Sequence, residues 1–228
     1  MRYLNNDAFN SYLIEDAMFY GKYEMPILEN TVKSPPKDIV PFEKRKKIKN
    51  KNGVYLHFYM NDEKLKAYLN NAKRYLKEVK KFAGIISLDI SIYTDLPLAE
   101  QISHSFKNKA FSCFFQNNGI NVIPNVRWGD KRSFEFCFDG IKPNGIYAIS
   151  TYGCIKSKKE KKIFKRGLKE MLKRLTPHMI IVHGRMPNSI FAEYKNKYHF
   201  IRFDSWIERA HKKRGGDEEW EQLRLEGF

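Results

Sequence analysis

Four short apolar runs in this chain each end in a group of residues able to do chemistry. The first, Gly84-Ile85-Ile86-Ser87-Leu88, leads into Asp89, Ser91, Tyr93 and Asp95. The second, Ile120 to Val126, leads through Asn125 into Arg127, Trp128 and Asp130. The third, Gly145 to Ile149, ends at Ser150, Thr151, Tyr152, Gly153 and Cys154. The fourth, Met179 to Val182, ends at His183, Gly184 and Arg185. In parallel α/β folds, functional groups gather at the carboxyl ends of strands, so these four sets are expected on one rim.

Asp89 is the most informative of them. It sits among Ile85, Ile86, Leu88 and Ile90, and an acid in such company is costly to bury unless it is paired or metal-bound. The chemical reading is a general base, or a ligand for a divalent metal. The structural alternative is a carboxylate bonded to loop amides or to Arg127. Arg127 beside Trp128 offers a guanidinium next to an aromatic plane, which suits a phosphate or a stacked base; a salt-bridged arginine beside a core tryptophan is the competing role. His183 and Asp130 complete the candidate catalytic set, although a histidine at the end of an apolar strand is often a hydrogen-bonded structural group. Cys154 has no base tied to it in sequence. Gly153 followed by Lys156, Ser157 and Lys158 could hold a phosphate on backbone amides, but it is not a Walker sequence.

The elements that must position these groups follow from periodicity. Val54 to Tyr59 reads as a strand, and Asp62 is expected to cap a helix over 63–81 with Leu65, Leu69, Ala72, Leu76 and Val79 in its stripe. Helices are expected over about 98–117, stopped by Asn118-Gly119, and over about 158–175, stopped by Thr176-Pro177. Tyr198 to Phe203 reads as a further strand. Alternation of apolar strands and amphipathic helices gives an α/β fold. We expect a mostly parallel sheet of about five to six strands with flanking helices, open or partial-barrel-like. The expected organisation is an extended N-terminal segment over 1–53, an α/β domain over 54–205 and a polar helix and tail over 206–228. Pro26, Pro35, Pro36 and Pro41 make the first segment extended rather than helical.

Charge narrows the partners. The 228 residues carry 42 Lys and Arg against 26 Asp and Glu, a formal net charge of +16. Such an excess favours polyanions, nucleic acid first. It is clustered: Lys44, Arg45, Lys46, Lys47, Lys49 and Lys51 fall within one short run. Residues 156–174 hold ten basic residues against Glu160 and Glu170, half of the whole excess. Lys156, Lys158, Lys161, Lys162, Lys165 and Lys169 are therefore candidate phosphate contacts, together with Lys44, Arg45, Lys46 and Lys47. Arg209, Lys212, Lys213 and Arg214 form a third cluster before an acidic tail. A solvated helix face accounts for any single run, and a lysine-rich composition inflates the total.

Other classes are set aside. No run of eighteen uncharged apolar residues suits a membrane span, and the N-terminus lacks a signal-peptide pattern. Cys113, Cys137 and Cys154 are odd in number and far apart, which fits neither a disulfide framework nor a zinc site. A reducing cytoplasm is expected. His-Glu-x-x-His, Gly-x-Gly-x-x-Gly and the His-hydrophobic-His triplet of rolling-circle nickases are absent.

The motif Phe82-x-Gly84-x-Ile86-Ser87-x-Asp89-x-Ser91-x-Tyr93-x-Asp95-x-Pro97, the block Val122-Ile123-Pro124-Asn125-Val126-Arg127-Trp128-Gly129-Asp130, the run Ser133 to Ile141 and Gly153-Cys154-Ile155-Lys156 resemble the DUF4417 family. That family is uncharacterised and common in phages, prophages and plasmids of Firmicutes. The resemblance covers roughly 20–195 and implies a mobile-element context without an activity. The order of strand ends is also similar to part of the tRNA-guanine transglycosylase barrels, as architecture only. Three functions are carried forward: a nucleic-acid-binding protein of a phage or other mobile element, with or without processing of DNA or RNA at the rim, an enzyme acting on a nucleotide or phosphorylated small molecule, and a non-catalytic inhibitor or adaptor of a host protein or ribonucleoprotein.

Overall fold

The computed structural model describes residues 9–214. Two short strands, β1 (Phe19–Tyr20) and β2 (Met25–Pro26), form an antiparallel hairpin. Seven parallel strands follow in chain order. β3 (Asp38–Pro41), β4 (Val54–His57), β5 (Gly84–Ile86) and β6 (Val122–Ile123) make a four-stranded sheet. β7 (Ile146–Ser150), β8 (Met179–His183) and β9 (Phe200–Phe203) make a three-stranded one. An isolated parallel bridge between Asn125 and Ala148 joins the two. There the Val126 amide donates to the Ala148 carbonyl at 2.8 Å and the Ala148 amide to the Pro124 carbonyl at 2.9 Å.

Spatial order therefore equals sequence order, and the strands wrap around one interior. Ile39, Tyr55, Ile86, Ile123, Ala148, Ile181 and Phe203, one from each parallel strand, share a single apolar cluster. The barrel is not closed: among the described residues β3 and β9 do not pair. The helices cover the outer faces. α1 (Asp62–Asn70), α2 (Ala72–Val79) and α3 (Leu98–Asn117) contribute Leu65, Val79 and Phe111 to the core outside the first sheet. α4 (Lys158–Leu175) and α5 (Asn188–Phe191) contribute Leu168, Met171 and Ile190 to the core outside the second. α6 (Trp206–Arg214) follows β9.

The expectation of one sheet of five to six strands is thus corrected to seven parallel strands in sheets of four and three. The difference lies at β3. Residues 1–53 were expected as an extension, yet Asp38–Pro41 pairs in parallel with β4 and buries Ile39 and Val40. β3 sits at the sheet edge, where Pro41 forfeits no ladder bond. The acidic tail beyond residue 214 lies outside the described residues.

The helix expected over 63–81 is two helices, broken at Asn71. Its cap is Asn61, whose side chain accepts the Glu63 amide at 2.9 Å. Asp62 instead accepts the Ser91 amide at 3.1 Å, tying α1 to the loop that follows β5. α4 runs as expected and starts on a capping box between Ser157 and Glu160.

Candidate functional site at the strand-end rim

Strand alternation selects the side chains that reach the interior at the carboxyl ends. Tyr55, His57 and Tyr59 are spaced by two, as are Ile123, Asn125 and Arg127, and Ala148 and Ser150, and Ile181 and His183. The lower member of each set belongs to the apolar interior cluster. The upper members form a polar layer above it. Phase slips once, after β5: Leu88 and Ile90 join the outer core, and Asp89 meets Asn125 inside. Buried Asn108 of α3 holds this loop, accepting the Ile90 amide at 2.8 Å and donating to the Ile90 carbonyl at 3.0 Å.

The polar layer is a chain of contacts. Tyr59 Oη donates to Asn125 Oδ1 at 3.0 Å, and Asn125 Nδ2 donates to Asp89 Oδ1 at 2.7 Å. The other oxygen, Asp89 Oδ2, lies 3.5 Å from Arg127 Nη1. Arg127 also donates to Cys154 Sγ at 2.9 Å and to Ser91 Oγ at 3.4 Å. Beside this chain, the His183 ring stacks on Tyr59 at 4.4 Å between centroids and lies 4.8 Å from His57. His183 Nδ1 is 3.0 Å from Ser150 Oγ, and its buried Nε2 has no partner among the described residues.

Burial dominates the electrostatics. It raises the Asp89 carboxyl above its ordinary range, against the pull of Arg127 and Asn125. Burial opposes the Arg127 charge, but Asp89 and Cys154 restore it, and the guanidinium stays charged. Burial pushes Tyr59 well up, helped by Asp89. It pushes His57 well down, helped by His183, and takes His183 down to about 4. Both imidazoles are therefore neutral near pH 7, and burial makes them weak bases. Burial also raises the Cys154 thiol more than Arg127 lowers it, which works against a nucleophilic thiolate.

Alongside this layer opens a groove of about 480 Å³. Its walls are the residues that follow β7, β8 and β9: Tyr152 and Ile155, Lys156 and Lys161, Arg185, and Ile207 of α6. The Tyr152 ring lies 6.0 Å from His183, so groove and polar layer adjoin.

The remaining expected site residues are placed as follows. Trp128 does not face the rim. Arg127 points inward, so its neighbour points out, and Trp128 is buried against Phe164 and Gly167 of α4. Asp130 caps the short 3-10 helix Lys131–Glu135, accepting the Arg132 amide at 3.0 Å, and its carboxylate is engaged by the Arg132 guanidinium. No contact links it to Asp89 among those described. Lys158, Lys162 and Lys169 are exposed on the outer side of α4. Lys165 is paired with Glu193 at 2.7 Å. In the 3-10 helix Phe42–Lys47, Lys46 and Lys47 are exposed, and Lys44 lies over the Trp206 ring at 5.7 Å. Arg45 is a structural clamp, bonded to Glu78 at 2.7 Å and stacked on Phe42. The capping box of α4 already occupies the Ser157 and Glu160 amides, which leaves fewer donors there for a phosphate.

For a metal at Asp89, the donor set is poor. Both carboxylate oxygens are engaged, and Arg127 supplies positive charge where a cation would sit. Among the described residues no three His, Cys, Asp or Glu side chains are grouped as metal ligands. No helix there is long and apolar enough to cross a membrane.

Sequence reasoning saw His57 and Tyr59 only as strand residues and Asp62 only as a helix cap, and placed Tyr152 and Arg185 at the rim without assigning them a role. The spacing of Tyr55, His57 and Tyr59 was the available signal, since polar residues in phase with an inward apolar one mark the upper layer of a barrel-like sheet.

Comparison with known proteins agrees with the motifs. Residues 17–204 match the family model described as a domain of unknown function, DUF4417. The chain is similar to the Gene 1 protein of Mycobacterium phage L5, 30% identical over 171 residues, covering 72% of each chain. It is also similar to the Gene 1 protein of Mycobacterium phage D29, 30% identical over 135 residues, 59% of this chain and 50% of that protein. No solved structure matches. The chain belongs to the DUF4417 family.

Proposed function

We propose that this DUF4417 protein binds nucleic acid, carrying the strand over its basic strand-end rim as part of the life of a phage or other mobile element. One observation carries the reading. The groove that adjoins the buried Asp89–Arg127 layer is walled by three cationic side chains, Lys156, Lys161 and Arg185. The exposed Lys158, Lys162 and Lys169 continue that charge along α4. Polyanion contacts of this kind give the bulk of non-specific affinity. The phage origin of the two Gene 1 proteins supports the context.

The test is the salt dependence of binding to labelled DNA and RNA. Each phosphate contact contributes roughly 0.7–0.9 to the slope of log affinity against log salt. The triple variant Lys156→Ala, Lys161→Ala, Arg185→Ala is therefore expected to lose about two units of slope while keeping its thermal stability. An unchanged slope refutes the reading.

A second reading is favoured by the buried ionisable layer itself. Asp89 with a raised carboxyl beside neutral His183 and His57 is an arrangement suited to acid–base work on a bound nucleotide or phosphorylated small molecule. Under that reading free mononucleotides raise the melting temperature, and Asp89→Asn abolishes turnover without weakening their binding.

A further inference from the structure

We infer that the groove beside the rim takes one unstacked nucleotide of a single strand, with Tyr152 as the platform on which its base lies. The inference rests on the nucleic-acid reading above and narrows it to single-stranded substrate. Tyr152 is 48% exposed although it stands at the end of a buried strand. Its backbone is held: the Tyr152 amide donates to Ser150 Oγ at 3.2 Å. Gly184, at φ +98°, passes beneath it closely enough that a Cβ there would meet the Tyr152 amide nitrogen at 3.3 Å. The ring is braced on one side, edge to face, by His183. An aromatic side chain fixed in place but left half uncovered is a ready stacking surface.

The rest of the groove fits the same occupant. Ile155, Pro187 and Ile207 supply apolar wall, and Lys156, Lys161 and Arg185 supply charge at its edge. Glu208 also lines it, but its carboxylate is engaged by Arg202 at 2.9 Å and lies 3.7 Å from Arg185, so the acid does not leave a net negative floor. The volume of about 480 Å³ lies within the range of small-ligand pockets, roughly 300–1,000 Å³. A paired base in a duplex keeps both faces stacked and cannot enter without being turned out, which costs unstacking and unpairing energy. An unpaired strand presents its base freely. Basic side chains around an aromatic platform are the recurrent pattern of single-strand binding.

The experiment is fluorescence anisotropy with four probes: a labelled DNA single strand of roughly 12 nucleotides, the same sequence as RNA, the corresponding DNA duplex, and labelled heparin. Wild-type protein is expected to bind at least one single strand more tightly than the duplex. Loss of a base–aromatic stack predicts that Tyr152→Ala weakens that single strand about fivefold or more, with duplex and heparin affinities unchanged. Tyr152→Phe keeps the ring and should keep the affinity. The DNA and RNA arms identify which sugar the site accepts. Duplex binding as tight as single-strand binding, or an equal effect of Tyr152→Ala on all probes or on none, overturns the inference while leaving the nucleic-acid reading in place. Failure to bind any of the four probes sinks both.

Discussion

Removing Arg127 should expose how the rim is held together. Arg127 Nη1 lies 3.5 Å from Asp89 Oδ2, with the two side chains 21% and 10% exposed. At that separation and an effective dielectric of about 20, the attraction is worth about 5 kcal/mol before desolvation. Breaking a buried pair by deleting one member costs about 3–5 kcal/mol, because the other charge is left behind. Allowing for the partial exposure of the guanidinium, Arg127→Leu should lose about 3 kcal/mol near pH 7, read as a shift in the midpoint of urea unfolding. Asp89→Asn should lose less, since a partly exposed arginine can hydrate. The double variant should lose less than the two single losses together, by about 2 kcal/mol. The pH dependence separates charge from packing. Burial already raises the Asp89 carboxyl, so stability from this group is present below about pH 4 and lost as the pH rises through the raised value. Without Arg127 that value rises further, and the loss deepens. The deficit of Arg127→Leu relative to wild type should therefore grow between about pH 4 and pH 7 and shrink below it. A deficit that is constant with pH, with additive single and double variants, would refute the electrostatic account and leave only lost packing.

His183 is held down to about 4 by burial. A base with a depressed native value contributes stability that is full above about pH 6.5 and lost as the pH falls through about 4, here about 3 kcal/mol; His57 adds loss in the same direction. His183→Gln should flatten the fall in urea midpoint on acidification, and a parallel fall in variant and wild type would contradict this. Gly167 is the space that Trp128 occupies: a Cβ there would stand 2.1 Å from Trp128 Nε1. Gly167→Ala should cost about 1–3 kcal/mol and lower the melting temperature, whereas an unchanged melting temperature would mean that Trp128 can move aside.

How far the sequence could be read follows from which information is local. The α4 stripe of Phe164, Leu168, Met171, Leu172 and Leu175 repeats at helical spacing and buries as that spacing requires. Strand ends were legible for the same reason, and Asp89, Arg127 and His183 do meet at one rim. What was not legible depends on phase and on distant partners. Arg127 and Trp128 looked like a functional pair because they are adjacent, but adjacent strand residues point to opposite faces. Adjacency along a strand is thus evidence against a shared site, and spacing by two is evidence for one. Arg45 looked like free chemistry and is a clamp, because its partner Glu78 is distant in sequence and is brought to it only by folding, whereas Asp130 is a cap engaged by its near neighbour Arg132, a local signal that the sequence did offer. β3 was hidden behind its prolines, which an edge strand tolerates.

The same logic explains why the pair of imidazoles escaped notice. His57 and His183 are far apart in sequence, and neither sits in a recognisable motif. They meet because the two sheets curve around one interior, which brings the end of β4 opposite the end of β8. A polar layer of this kind destabilises the fold: it buries an acid, two imidazoles and a phenol where apolar side chains would pack without desolvation cost. Structural need alone does not account for His183 Nε2, which is buried without a partner among the described residues. An unpartnered buried polar atom beside a groove walled by Lys156, Lys161 and Arg185 is the kind of local violation of packing rules that functional sites retain, and it directs attention to the rim rather than to the lysine count.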